Sequence, residues 1–526
     1  MKTSIRVGLA AATSADLLAI GLFEDTDERS RQLAELEEPL QALLHPLIEY
    51  GDFTGKIGQK ALLLNPAGIQ ARRLVAIGLG LRNKFDLEAV RKLAARAAQQ
   101  ARKLRQTTVT FWADTLRGKG LDDERIAEAL VEAAILSQFS SGELRTRSDE
   151  PAPVSRCEIV SSDREAQKAL QTGAEIGRIV ALATNEARAL IALPGNIATP
   201  ERLAAEARKL AKLDRVQVRV LDERGIQRER MHALQAVAQG STAKPRFLIV
   251  EYQGAPAAEA PIVLVGKGIT FDTGGVNLKS SKNIEYMNYD KSGGCAVLAA
   301  MKAVATLGLP LRVVGLVPAA ENMVSGTAMR PADIIRTRAG KTVEVNNTDA
   351  EGRLILADAL DFARKYKPAA VVDIATLTGA CVVALGEETT GLLGTSDLVK
   401  NRLKAAGETV HERVWELPLW DEHEEEMKSE VADLKNAGGS AGGAITAAAF
   451  LRSFVGDAPW AHLDIAGPAW AKSAKGYIGK GATAVGTRLL IQFLRDWAHA
   501  KTVTGSVPVR SAAASQRKEV ASPKGH

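Results

Sequence analysis

A chain of 526 residues is longer than one hydrophobic core usually serves, so two or more domains are expected. Hydrophobic residues make up 46% and charged residues 25%, which fits a folded globular protein and excludes a low-complexity or collagen-like chain. The formal net charge is only +6, and five basic residues (Lys501, Arg510, Arg517, Lys518, Lys524) against Glu519 supply much of it, so DNA binding stays open as a second class of function.

From the N-terminus, residues 7–23 are apolar but broken by Thr13, Ser14 and Asp16, just after Arg6, which reads as a strand entering a domain and not as a signal peptide. Up to about residue 162, strand-like runs at 5–10, 61–64, 74–79 and 107–112 alternate with helical patterns at 87–105 and 122–137. Gly78-Leu79-Gly80 hints at a phosphate loop, yet Asn83 stands where the last glycine belongs, so a strand-ending turn is the better reading. Residues 139–156 lack periodicity and read as a connector.

A long helical pattern over 163–193 ends at Pro194-Gly195-Asn196 and forms the domain junction. Thr199-Pro200-Glu201 then opens the next helix with an N-cap and a proline at its first position. Strand-like runs follow at 216–221, 247–252, 262–265, 313–317, 342–346, 370–374 and 462–465, separated by helices. The expected class is therefore α/β: a smaller N-terminal α/β domain (1–162), a linking helix (163–193), and a larger α/β domain (194–500) with a mostly parallel sheet covered by helices. Residues 501–526 are expected to be a basic, disordered tail. The three cysteines, Cys157, Cys295 and Cys381, lack C-x-x-C spacing, and no run reaches the roughly 18 apolar residues of a membrane span, so a cytoplasmic setting is expected.

Two charged loops carry the candidate chemistry. Val265-Gly266-Lys267-Gly268-Ile269-Thr270-Phe271-Asp272 follows an apolar strand, with Lys279 and Tyr289-Asp290-Lys291 beyond it. Asn347-Thr348-Asp349-Ala350-Glu351-Gly352-Arg353-Leu354 lies between a strand-like and a helix-like run. Loops at the carboxyl ends of neighbouring strands would bring Asp272, Asp290, Asp349 and Glu351 together, and four carboxylates cannot share a small volume without cations. Two divalent metals resolve this, and oxygen donors suit Mg, Mn or Zn. Other motifs carry less. His423-Glu424-Glu425-Glu426-Met427 ends in Met where a zinc helix needs His, Ala339-Gly340-Lys341-Thr342 reads as a turn before a strand, and His462 reads as a satisfied core residue.

N-T-D-A-E-G-R-L at 347–354 and V-G-K-G-I-T-F-D-T-G-G at 265–275 closely resemble the cytosolic leucyl aminopeptidase family. The likeness continues through Asp373–Gly379 and His462–Gly467 and covers roughly 185–497, whereas the N-terminal domain matches only in general pattern. The resemblance implies a homohexameric exopeptidase that removes N-terminal leucine and similar apolar residues from peptides, making 194–500 the catalytic domain. It implies two divalent ions, Mn or Zn, held by Lys267, Asp272, Asp290, Asp349 and Glu351, with Asp272 and Glu351 contacting both. Lys279 and Arg353 match the family's catalytic pair, with a bicarbonate at Arg353 as general base. Met287, Thr376 and Gly379 align with the wall of the pocket for the first side chain. The alternative is an architectural or regulatory DNA-binding protein whose aminopeptidase activity is secondary.

Overall fold

The computed structural model describes residues 1–504 apart from 119, 142–143 and 147–150. Near the N-terminus six strands form one sheet in the order Lys2–Val7, Arg156–Ser161, Thr108–Trp112, Leu18–Leu22, Arg73–Gly78, Lys60–Leu64. All neighbours pair in parallel except Lys60–Leu64, which runs antiparallel at the edge. Leu18–Leu22 is buried at every position and lies in the interior of the sheet. That explains why the segment reads as uniformly apolar and shows no alternation. Strand Arg73–Gly78 ends at the Gly78-Leu79-Gly80 turn, as expected.

Helices cover both faces of this sheet. Leu87–Lys103 and Asp123–Leu136 start where Asp86 and Asp122 accept hydrogen bonds from Ala89 N (3.0 Å) and Arg125 N (2.7 Å). Their alanine-rich faces allow close packing. The helix Gln167–Ala192 lies against Asp123–Leu136 so tightly that a Cβ at Gly173 would fall 1.9 Å from Glu124 O. Its first half buries Leu170 and Ala174 in the N-terminal core, and its second half buries Ile179, Ala183, Ala187 and Ile191 in the core of the following domain.

The larger sheet runs Val414–Glu416, Thr390–Gly394, Trp460–Asp464, Ala370–Ala375, Ile262–Gly266, Arg312–Asn322, Arg246–Gln253, Val216–Leu221. Gly268–Asp272 pairs with Arg312–Asn322 beside this path. The four central strands are parallel and the outer ones are antiparallel to them or mixed. One expectation is corrected here. The run at 342–346 is not part of this sheet; Thr342–Glu344 joins a separate three-stranded sheet with Ile334–Arg336 and Leu434–Lys435. Alternation identifies a half-buried strand but carries no information about which sheet receives it. Gly340, at φ +82°, turns the hairpin between the first two of these strands, which is the turn read at Ala339–Thr342. The last helix, Thr487–Thr504, continues past residue 500, and residues 505–526 of the expected tail lie outside the described residues. Among the described residues no helix is long and apolar enough to cross a membrane.

A buried ionic network joins the two domains. Glu132 accepts from Arg91 Nε (2.9 Å) and Arg488 Nη1 (3.1 Å), and Arg488 also pairs with Glu412 (3.0 Å). Glu412 Oε2 in turn accepts from Gly486 N and Leu489 N, fixing the start of the last helix. Burial alone would raise the Glu132 pKa, but Arg91 and Arg488 outweigh it and hold the carboxyl below its ordinary range. Removing one member of such a network strands buried charge, so Glu132→Gln is expected to cost about 3–5 kcal/mol. A urea midpoint equal to that of the wild type would refute the role given to this network.

Candidate active site

Four elements converge at the carboxyl ends of the central strands. Strand Ile262–Gly266 delivers Lys267, and Gly268–Asp272 places Asp272 at its end. The 3₁₀ turn Met287–Lys291 carries Asp290, and helix Glu351–Ala363 opens on Glu351. Gly352 is required here for space: a Cβ would lie 2.7 Å from Lys267 Cε, so only glycine lets the lysine lie along the helix start.

The carboxylates meet as the sequence suggests. Asp272, Asp290 and Glu351 each offer an oxygen within 4.8 Å of the others, and all three are buried. Lys267 Nζ stands 2.8 Å from Asp290 Oδ1 and 2.7 Å from Glu351 Oε1, and donates to Thr376 O at 3.0 Å. Lys279 Nζ bridges Asp272 Oδ2 (2.9 Å) and Asp349 Oδ1 (2.5 Å), which ties the more exposed Asp349 to the group. Thr376, expected to line the pocket for the first side chain, donates its hydroxyl to Asp290 Oδ1 at 2.7 Å. Met287 is half-buried on the turn that carries Asp290. Gly379 is exposed at the start of helix Gly379–Leu385, with nothing within 4 Å of where a Cβ would point.

Burial lifts all four carboxyl groups above their ordinary range, neighbouring carboxylates add to the rise, and the lysines pull against it. For Lys267 and Lys279 burial works the other way, yet the surrounding carboxylates win and raise both above the usual lysine value. Four carboxylates facing two ammonium groups leave an excess of negative charge. Asp290 Oδ2 is buried with no hydrogen-bond partner, and Glu351 Oε1 and Asp349 Oδ1 meet their lysines at ion-pair distance without hydrogen-bond alignment. Crowded, under-satisfied oxygen donors beside an amine fit divalent cations.

Arg353 stands apart from this cluster. Two residues along a helix rotate a side chain by about 200°, so it leaves the face that Glu351 presents. Its Nη1 donates to Asn436 O at 2.8 Å, its Nε has no partner, and no carboxylate of a described residue lies within ion-pair distance. Burial pushes the guanidinium pKa down to about 10, against the pull of Glu351 and Asp464.

The residues that hold these loops in place were not found from the sequence. Asn322 Nδ2 donates to Asp272 Oδ1 (2.9 Å) and to Thr348 O (3.0 Å). Thr348 Oγ1 donates to Gly274 O (2.7 Å), and its backbone N to Asn277 Oδ1 (2.8 Å). Asn436 receives Asn346 N and Asn347 N on Oδ1 and donates to Asn347 O (2.7 Å). A lone asparagine has no spacing to read; the available signal for Asn322 is its place at the end of a long apolar strand. His462 is fully buried as expected, but only half satisfied: Nδ1 meets Asp373 Oδ1 at 2.6 Å and Nε2 has no partner. His423 lies in the short helix Asp421–Glu425, stacked on Trp420.

Comparison with known proteins agrees with this geometry. Residues 185–491 match the catalytic-domain model of the cytosol aminopeptidase family, and residues 19–148 match that family's N-terminal-domain model, so the likeness is wider than the motifs alone suggest. The chain is 44% identical over 510 residues to a probable cytosol aminopeptidase of Roseiflexus castenholzii, covering 95% of this chain and 100% of the relative. It is 41% identical to one from Geobacter sulfurreducens, covering 94% and 99%. Among solved structures, the bottromycin maturation enzyme BotP in complex with Mn superposes with a TM-score of 0.81 at 32% identity, over 92% of this chain and 99% of that one. The four clustered carboxylates, their two lysines and the match of both domains make this chain a member of the cytosol aminopeptidase family, a metal-dependent hydrolase that releases N-terminal residues from peptides.

Proposed function

We propose that the protein is a dinuclear leucyl aminopeptidase, acting in the cytoplasm as a homohexamer on peptides that begin with leucine or a similar apolar residue. The cluster of Asp272, Asp290 and Glu351 around Lys267 is the observation that carries this reading. Lys267, Asp272, Asp290, Asp349 and Glu351 would hold two divalent ions, Mn or Zn. When bound, these ions supply Lewis acidity, polarising the scissile carbonyl and lowering the pKa of a water. Lys267 must give up a proton to become a ligand, so metal uptake releases protons. Asn322 keeps Asp272 oriented and Thr376 keeps Asp290 oriented. Lys279 places a cation where the carbonyl oxygen gains charge, and Arg353 would hold a bicarbonate, which would supply a general base for the attacking water. Met287, Thr376 and Gly379 line the pocket for the first side chain. We assign residues 1–162 to the N-terminal domain, 163–193 to the linking helix and 194–500 to the catalytic domain.

The proposal requires a free α-amine next to the scissile bond. Leucine amide is expected to be hydrolysed and N-acetyl-leucine amide left intact, with a chelator abolishing activity and Mn or Zn restoring it. Equal rates on both substrates would refute an exopeptidase, and activity that survives chelation would refute the metal site. Light scattering should give about six times the chain mass of 56.0 kDa.

A further inference from the structure

A cleft between the two domains has a composition that peptide hydrolysis does not use. It encloses about 780 Å³ and is lined by five cationic side chains, Arg102, Lys103, Arg145, Lys472 and Lys480, with no carboxylate among the described lining residues. Lys472 pairs with Glu387, and Arg102 donates to Pro151 O. Lys103, Arg145 and Lys480 line the cleft and make no ion pair with a described residue.

A further cation without a carboxylate partner among the described residues lies beneath them. Arg188, on helix Gln167–Ala192, is fully buried and has only neutral partners: Ala482 O at 3.0 Å, and Leu136 O and Asn185 Oδ1 at 3.1 Å. Its guanidinium sits 4.0 Å over the ring of Phe139, which lines the cleft. Its Nη2 has no hydrogen-bond partner and faces Gly479 in the cleft wall, where a Cβ would be 3.3 Å away. A buried charge without a counter-ion is costly unless something supplies the missing sign.

The same cleft offers aromatic surface. Tyr286 stacks on Trp470 with ring centroids 4.3 Å apart, and Tyr289 lies 6.2 Å from Trp470 on a nearly parallel plane. A bare oxyanion would leave these rings unused, and an uncharged aromatic ligand would leave the cations uncompensated. The volume falls within the roughly 300–1,000 Å³ of small-molecule sites. We propose that this interdomain cleft binds a nucleoside polyphosphate, with the phosphates on Lys103, Arg145 and Lys480 and the planar base against the Tyr286–Trp470 pair.

Isothermal titration of the metal-loaded protein with ADP, pyrophosphate and adenosine tests this. ADP is expected to bind more tightly than either fragment, with an affinity that falls as salt is raised. The double variant Lys103→Glu/Lys480→Glu, which alters only exposed side chains far in sequence from the carboxylate cluster, should weaken ADP by at least about tenfold while still hydrolysing leucine amide. Trp470→Leu should weaken ADP and leave pyrophosphate unchanged. The proposal is overturned if ADP gives no binding at millimolar concentration, or if its affinity survives the double variant, which would place the phosphates on the active-site metals. Pyrophosphate binding as tightly as ADP would also overturn it, because the rings would then contribute nothing.

Discussion

Asp272→Ala is expected to lose divalent metal and turnover together. Asp272 is only 2% exposed; Asn322 Nδ2 and Gly274 N fix one of its oxygens and Lys279 faces the other, so neither a neighbouring side chain nor bulk water can take its place. Loss of a mere supporting partner typically weakens a metal site by about 10–100-fold, and loss of a carboxylate proposed to hold both ions should exceed that. Metal content after dialysis and leucine amide hydrolysis are the two readouts; a variant that keeps both refutes the dinuclear site. The pH dependence has a definite sign. Metal binding needs the ionised carboxylates, and all four are raised above the ordinary range, so protons displace metal at a higher pH than for isolated carboxylates. Activity should therefore fall on the acid side as protons compete with metal for these carboxylates, with metal content falling in parallel.

Lys279→Ala is expected to lower kcat by about 10²–10³ while KM changes little, the usual effect of removing one donor to a developing oxyanion. Because Lys279 Nζ touches both Asp272 and Asp349, metal content must be measured in the same variant. Retained metal with lost turnover supports the catalytic assignment; lost metal makes Lys279 a structural support of the carboxylates. Arg353→Ala should lose less, since water can partly replace a bicarbonate general base, and added bicarbonate should stimulate the wild type but not this variant. The isolation of Arg353 from the carboxylates and the unpartnered Nε support this division of roles, because a guanidinium so placed is free to hold an anion.

The site was legible because its chemistry is dense in sequence. Asp349, Glu351 and Arg353 fall within five residues, and Lys267, Asp272 and Lys279 within thirteen, each group after a strand-like run. Charge crowding at strand ends therefore points to metals from the sequence alone. Asn322 and Asn436 were illegible for the opposite reason: each acts through its amide on loops far away in sequence, and nothing local marks it. The parallel core of the large sheet followed from alternating strands and helices. The small sheet that holds Thr342–Glu344 did not, since strand pairing over about ninety residues to Leu434–Lys435 is a property of tertiary packing. The different face taken by Arg353 was readable in principle from its helical offset to Glu351, but that reading requires knowing that the helix starts at Glu351 and not at Leu354.

Helix Gln167–Ala192 has a consequence for how the chain can be cut. It presses Gly173 and Gly177 onto the backbone of Asp123–Leu136 and buries Ile179, Ala183, Ala187 and Ile191 in the other core, so it belongs to both halves at once. A fragment starting after it would leave an apolar trench in the catalytic half, and a fragment ending before it would uncover a row of backbone carbonyls on the N-terminal half. Recombining this protein with a relative is therefore a matter of transplanting a shared spine: the crossover belongs upstream of residue 167, and the incoming N-terminal half must bring a helix surface flat enough to accept two glycines.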